Sequence, residues 1–132
     1  DYKKMVSESV SRINVHLEII GKSKISCQLF RHLSPRTVGI ISRSMPIQGN
    51  AHHIGTSVVY LGTAVDSGIE RKRTDFKKGD IAFLPTGGCI CFYTNDVHSG
   101  QPMTPIGKII TNIENLTEVK TGDILSLYLD TV

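Results

Sequence analysis

One stretch decides the fold: Gly79-Asp80-Ile81-Ala82-Phe83-Leu84-Pro85. Its Gly-Asp pair is typical of a tight turn into a strand, and Pro85 ends the apolar run where a missing N–H does no harm. Gly87-Gly88 follows and permits the positive φ angles of a hairpin turn. The stretch therefore predicts the start of a buried hairpin, in what we expect to be a small closed barrel.

Short strand-like runs recur on both sides of this hairpin. The clearest is 13–19, in which apolar residues alternate with polar ones and so indicate a half-buried strand. The predicted strands cover residues 13–19, 25–30, 56–61, 81–84, 89–94, 106–113 and 124–129. Many short strands with Gly-rich turns favour a barrel or sandwich over a parallel α/β sheet. The predicted fold class is therefore mostly β.

One segment has helical features instead. Ser34 is a typical N-cap residue and Pro35 suits the first helical position. Apolar residues then recur at helical spacing over 38–45, until Pro46 disfavours a helical residue before it. These signals predict one main helix of about three turns that lies on the barrel or plugs one end. A second short helical turn is expected at 115–119.

Length and composition favour one ordinary globular domain over residues 1–132, in which 1–10 can be flexible. No apolar run is long enough to cross a bilayer, and no signal peptide is recognisable, so no membrane partner is expected. The cysteines are odd in number, three, and all lie within apolar runs, which favours a reducing compartment, the cytoplasm. The modest net charge of +3 does not indicate nucleic-acid binding.

The hairpin and its neighbours resemble the prokaryotic cyclophilin-like domain family. Residues 78–93 match the family's core signature, and Pro105-Ile106-Gly107-Lys108-Ile109 is similar to its Ile-Gly-Lys/Arg strand. Met45-Pro46, Gly55 and Val59-Tyr60 follow in the family's order. The resemblance covers residues 11–130 and implies a closed β-barrel like that of cyclophilin, with one main helix and a short helical turn.

True cyclophilins carry Arg-x4-Phe-x2-Gln-Gly, and this motif is not matched here. Arg43 precedes Gln48-Gly49, but the spacing from Arg to Gln is five instead of eight and no Phe lies between. Since a fold can be shared without its chemistry, the resemblance implies the barrel and not classical prolyl isomerase activity.

The candidate ligand-binding residues of a groove beside the barrel are Arg43, His52, His53, Tyr60 and Tyr93. His52 and His53 lie in a stretch expected to be irregular, and adjacent residues on an extended chain point to opposite faces, so no metal site is expected. The polar tips of the two tyrosines favour a groove rim, whereas Phe83 and Phe92 are expected in the core.

Two further patterns have structural interpretations. Cys89 and Cys91 share a strand face with Tyr93 and have no cationic neighbour, which favours packing over reactivity. The run 70–78 contains five basic residues, all within the eight positions 71–78, but it includes acids as well, so it predicts a solvated loop and not a nucleic-acid site.

No catalytic motif is recognisable and no cofactor is expected. The leading hypothesis is a domain that binds a small ligand or an extended peptide in a groove beside the barrel. The alternative is a divergent prolyl isomerase, or another enzyme that uses the same groove, with Arg43, His52 or Tyr60 involved. A third interpretation is a subunit that forms a homodimer through an exposed barrel face.

Overall fold

The computed structural model describes residues 11–130, which form nine strands and two helices. The strands are β1 (Arg12–Ile19), β2 (Ser23–Phe30), β3 (Ile47–Asn50), β4 (His52–Ile54), β5 (Val58–Gly62), β6 (Asp80–Leu84), β7 (Cys89–Tyr93), β8 (Thr104–Thr111) and β9 (Ile124–Leu129). The helices are α1 (Pro35–Ser44) and the 3-10 helix η1 (Ile113–Glu118). The expected flexibility of residues 1–10 lies outside the described residues.

All nine strands belong to one antiparallel sheet, in the order β3-β9-β1-β2-β8-β6-β7-β5-β4. The two ends of this order are consecutive in the chain, because Ala51 alone separates β3 from β4. Ala51 donates its N–H to the carbonyl of Asp123 (2.7 Å) and accepts from the N–H of Gly122 (3.1 Å). The sheet thus closes almost completely on itself, and the mostly β, barrel-like prediction is confirmed.

The expectation of an irregular stretch around His52 was wrong. Residues 47–50 pair with β9 and residues 52–54 pair with β5. These strands are short and mostly polar, so they carry no alternating apolar pattern, and their extended conformation comes from their pairing partners.

The barrel interior holds the main core. Alternate residues of β1, namely Val15, Leu17 and Ile19, point inward and are almost fully buried. Val38 and Ile41 of α1 belong to the same cluster, which places the helix against the barrel interior. The predicted core positions of Phe83 and Phe92 are confirmed.

A second apolar cluster lies on the outer face of β5, β6 and β7. Its members alternate along these strands with residues of the main core, so they occupy the opposite face of the sheet. They are Val58, Phe76, Ala82, Cys91, Tyr93 and Met103. Phe76 and Met103 come from the segments that cover this face, and backbone bridges pair Arg73 with Met103 and Phe76 with Val97.

The signature 79–85 has a structural role at each end. Gly79 has φ +96°, donates its N–H to the carbonyl of Tyr93 and accepts from the N–H of Ile109. Asp80 closes the turn by accepting the N–H of Lys77 at Oδ2 (2.8 Å). The predicted Gly-rich hairpin turn is confirmed by positive φ at Gly87 and Gly88.

Strands β2 and β8 approach each other closely at Gly107. A Cβ on Gly107 would overlap the carbonyl oxygen of Gln28 and lie 3.0 Å from Cα of Leu29. A register shift between Ser26 and Cys27 interrupts the β2–β8 ladder nearby. Only glycine therefore fits at this position without a shift of the strand backbone.

We predict that Gly107→Ala lowers the free energy of unfolding by about 3 kcal/mol, because the added methyl group meets backbone that cannot rotate away. Gly62→Ala is the matched control, since nothing lies within 4 Å of a Cβ at that strand position. Urea unfolding of both variants measures the difference. Equal stability of the two variants would contradict the assigned role of Gly107.

Candidate functional site

His52 and Tyr60 form an aromatic pair on the outer surface of the barrel. They lie opposite each other in the β4–β5 ladder, with ring centroids 5.2 Å apart and planes at 27°. His53 instead places Nδ1 3.1 Å from Oγ1 of Thr121. The two histidines therefore lie on opposite faces of β4, as predicted. Among the described residues, no group of three or more His, Cys, Asp or Glu side chains is placed to hold a metal.

Arg43 lies in the last turn of α1 and not on the strands that carry these rings. A Cβ on Gly39 would lie 3.2 Å from Nη1 of Arg43 and 3.4 Å from Nη1 of Arg31, so both guanidinium groups cover this part of the helix. Arg43 is therefore a surface residue of the helix.

Tyr93 is not at a rim, and this part of the sequence prediction was wrong. Its side chain is 2% exposed and stacks on Phe76, with centroids 4.6 Å apart and planes at 13°. Its hydroxyl donates to Sδ of Met103 (3.3 Å). Burial raises the pKa of Tyr93 well above its ordinary value. The sequence could not show that Phe76 and Met103 cover this face. Because Tyr93 is buried, the five candidate residues do not share one groove.

The cysteines pack as predicted, in the part of the chain that the structure describes. Cys27 and Cys91 are buried, and burial raises the pKa of each thiol to about 12. Cys89 is half-buried, and desolvation raises the pKa of its thiol as well. Because so little thiolate exists near neutral pH, none of the three suits nucleophilic chemistry.

A groove with an aromatic floor does exist, on another part of the outer surface. It has a volume of about 370 Å³ and lies across β1, β2, β8 and β6. Its apolar lining is the partly exposed ring of Phe30 together with the buried residues Phe76, Ile81 and Pro105. We call it the aromatic groove. Concave sites of this size with a few convergent polar groups are typical of small-molecule binding.

Three cations surround the aromatic groove. Cζ of Arg12 lies 6.0 Å from the ring centroid of Phe30, and Cζ of Arg73 lies 5.8 Å from that of Phe76. Lys108 is the third. Within residues 11–130 the ion pairs are His16–Asp130 and Lys22–Asp123, so no carboxylate forms a salt bridge with these three side chains.

Two further polar side chains complete the rim. The ring of His32 lies 5.6 Å from that of Phe30, at 39° to it. Asp80 also lines the groove, but its Oδ2 already accepts the N–H of Lys77. The groove therefore carries more positive than negative charge.

The covering loop, residues 63–79, carries Arg73 and Phe76 to the groove. Arg73 and Met103 exchange both backbone hydrogen bonds (2.9 and 3.0 Å). The carboxylate of Glu70 accepts the N–H of Arg36 (3.0 Å) and of Thr37 (2.7 Å) at the start of α1. This carboxylate takes the place of a serine cap, because the hydroxyl of Ser34 donates to the carbonyl of Pro105 instead.

All five basic residues of the covering loop are exposed, as predicted for a solvated loop, but Phe76 is buried. The prediction therefore missed Arg73 as a groove residue. A signal for the other side of the groove was present: Arg12 and Phe30 lie at the outer ends of a predicted hairpin and pair across it.

We predict that Glu70→Ala lowers the free energy of unfolding by about 1 kcal/mol at neutral pH, because two helix N–H groups lose their acceptor. Partial burial raises the pKa of Glu70, but the N–H groups of Thr37 and Arg36 outweigh this effect and the net pKa is lowered. The stabilisation is therefore present above the ordinary glutamate pKa and disappears as the pH falls through the lowered value.

Urea unfolding across the acid range measures this effect. The control is Glu118→Ala, which removes the carboxylate of an exposed glutamate. If the loss of unfolding free energy in Glu70→Ala stayed constant down to strongly acidic pH, the capping role of the charged carboxylate would be excluded.

The fold has clear relatives. The chain belongs to the Cyclophilin-like family, whose sequence profile matches residues 12–127. The family resemblance stated from the sequence is confirmed. No curated protein matches the sequence. Among residues 11–130, no helix is long and apolar enough to span a membrane.

Three solved structures share the fold at low sequence identity. The hypothetical protein AF2241 from Archaeoglobus fulgidus has a TM-score of 0.73 at 21% identity, over 91% of this chain and 96% of its own. McbB in complex with tryptophan has a TM-score of 0.76 at 14% identity, over 89% of this chain and 45% of McbB. The Mimivirus cyclophilin has a TM-score of 0.59 at 11% identity, over 89% and 86%.

Proposed function

We propose that the chain is a small-molecule-binding domain whose site is the aromatic groove, and that it lacks classical prolyl isomerase activity. The observation that carries the proposal is the convergence of Arg12, Arg73 and Lys108 on a floor that includes Phe30. Of the two ligand types considered from the sequence, the groove's volume of about 370 Å³ suits a small molecule better than an extended peptide.

A relative supports this choice of ligand type. McbB, which is similar in fold over part of its length, has been solved with bound tryptophan. Tryptophan combines a flat apolar ring, a carboxylate and an ammonium group. These match the phenylalanine floor, the cations and Asp80 of the aromatic groove.

We propose further that the domain acts in the cytoplasm. Cys27, Cys89 and Cys91 are all free thiols. Free, buried thiols suit a reducing compartment, where no disulfide is needed to hold a domain of this size together.

We predict that tryptophan and the other standard amino acids, added at millimolar concentration to ¹⁵N-labelled protein, include at least one that shifts the groove amides of Phe30, Asp80 and Lys108. Phe30→Ala should weaken that binding because it removes part of the apolar floor. Tyr60→Ala is the matched control, since it truncates a half-buried ring on another part of the barrel surface.

No shift with any amino acid would count against the proposal. Shifts confined to the amides around His52 and Tyr60 would move the site to the aromatic pair predicted from the sequence.

We predict that the protein does not accelerate the isomerisation of an X-Pro peptide in a protease-coupled assay, whose uncatalysed phase lasts tens to hundreds of seconds. The reason is that Arg43 belongs to α1 and Gln48 to β3, so the two residues do not share a strand. A faster isomerisation that Arg43→Ala or His52→Ala abolishes would establish the alternative, a divergent isomerase.

A further inference from the structure

We infer that the aromatic groove selects an aromatic carboxylate, that is, a flat ring that carries one negative charge. The inference rests on the proposed function and adds the chemical class of the ligand. It depends on three features of the groove: its excess of positive charge, the way its arginines are held, and the shape of its floor.

The groove carries an excess of positive charge. Arg12, Arg73 and Lys108 line it against one carboxylate, Asp80, which already accepts a backbone N–H. The ion pairs of the described residues lie elsewhere, at His16–Asp130 and Lys22–Asp123. Cations that have no salt-bridge partner remain available to a ligand anion, and three of them around one concave surface attract it together.

The two arginines are held before a ligand arrives. Each guanidinium lies over a phenylalanine ring, at 6.0 Å for Arg12 and 5.8 Å for Arg73. The backbone of Arg73 is further fixed by its paired hydrogen bonds to Met103. A group that is already oriented loses less entropy on binding, and a guanidinium presents two parallel N–H donors that match a carboxylate.

The floor favours a ring over a bare inorganic anion. The partly exposed ring of Phe30 presents apolar surface next to the cations, with the buried residues Ile81 and Pro105 behind it. A ligand that covers this surface gains hydrophobic energy which phosphate cannot gain. The His32 ring beside Phe30 adds a further flat surface to one side of the groove.

The test compares benzoate with benzamide, which have nearly the same shape but differ in charge. Binding to the full chain is followed by the groove amides in NMR titrations, with inorganic phosphate as a third probe. We expect benzoate to bind about tenfold more tightly than benzamide, as charged hydrogen bonds are stronger than neutral ones. We also expect added salt to weaken benzoate binding.

Arg73→Gln and Lys108→Gln should each weaken benzoate severalfold and leave benzamide unchanged. Lys24→Gln is the matched control, because it removes the same charge from an exposed position of β2 that lies six residues from Phe30. Two charge variants are used because one of them could misfold, which would be visible as a loss of amide dispersion in the NMR spectrum. The other variant would then provide the test.

Each remaining outcome overturns the inference. Equal binding of benzoate and benzamide at the groove would remove the charge selection but leave small-molecule binding intact. Tighter binding of phosphate than of benzoate would remove the aromatic requirement. If Lys24→Gln weakened benzoate binding equally, the attraction would come from the net charge of the protein and not from the groove residues. If neither benzoate nor benzamide shifts the groove amides while an amino acid does, this inference fails and the proposed function stands. If no ligand binds in the aromatic groove, both fail.

Discussion

The backbone contact between Gly107 and Gln28 is the constraint on which the barrel depends. Strand β8 pairs with β2 on one side and with β6 on the other, so it joins the half that contains β1 and β9 to the half that contains β5 and β7. A side chain at Gly107 would push these halves apart. The aromatic groove lies over the same junction, and Gly107 contributes to its surface together with Pro105 and Lys108. The groove's shape therefore follows from how closely two strands approach each other.

The outer apolar cluster sets a second limit on function. Phe76, Tyr93 and Met103 cover part of the outer face of the sheet with their own side chains. The covering loop is held there by Glu70 at the start of α1, by the Arg73–Met103 bridge and by the Phe76–Val97 bridge. The uncovered outer surface therefore lies on β1, β2 and β8, where Arg12 and Lys108 are located, and not over the buried side chain of Tyr93.

The fold was largely predictable from the sequence, whereas the groove was not. The stretch 79–85, the alternating strands and the helix that begins at Pro35 are local patterns, and local patterns can be recognised in one sequence. The groove brings together Phe30, Arg73 and Lys108, which are far apart in the chain and become neighbours only through the sheet order. Tyr93 was misplaced for the same reason, since its cover comes from Phe76 of a segment with no strand-like pattern. The opposite orientation of His52 and His53 was predicted correctly, because it depends only on the geometry of adjacent residues.

The closure of the sheet at Ala51 also bears on how a longer ligand could bind. Among the described strands, only β3 and β4 end the order, and they are four and three residues long and joined to each other. An extended peptide that binds by strand addition needs a continuous row of free backbone N–H and C=O groups along a sheet edge. This barrel presents no such row over more than one short strand. Strand addition at the described edges could therefore involve only one short strand, and under the proposed function the ligand is contacted by the side chains that line the barrel surface.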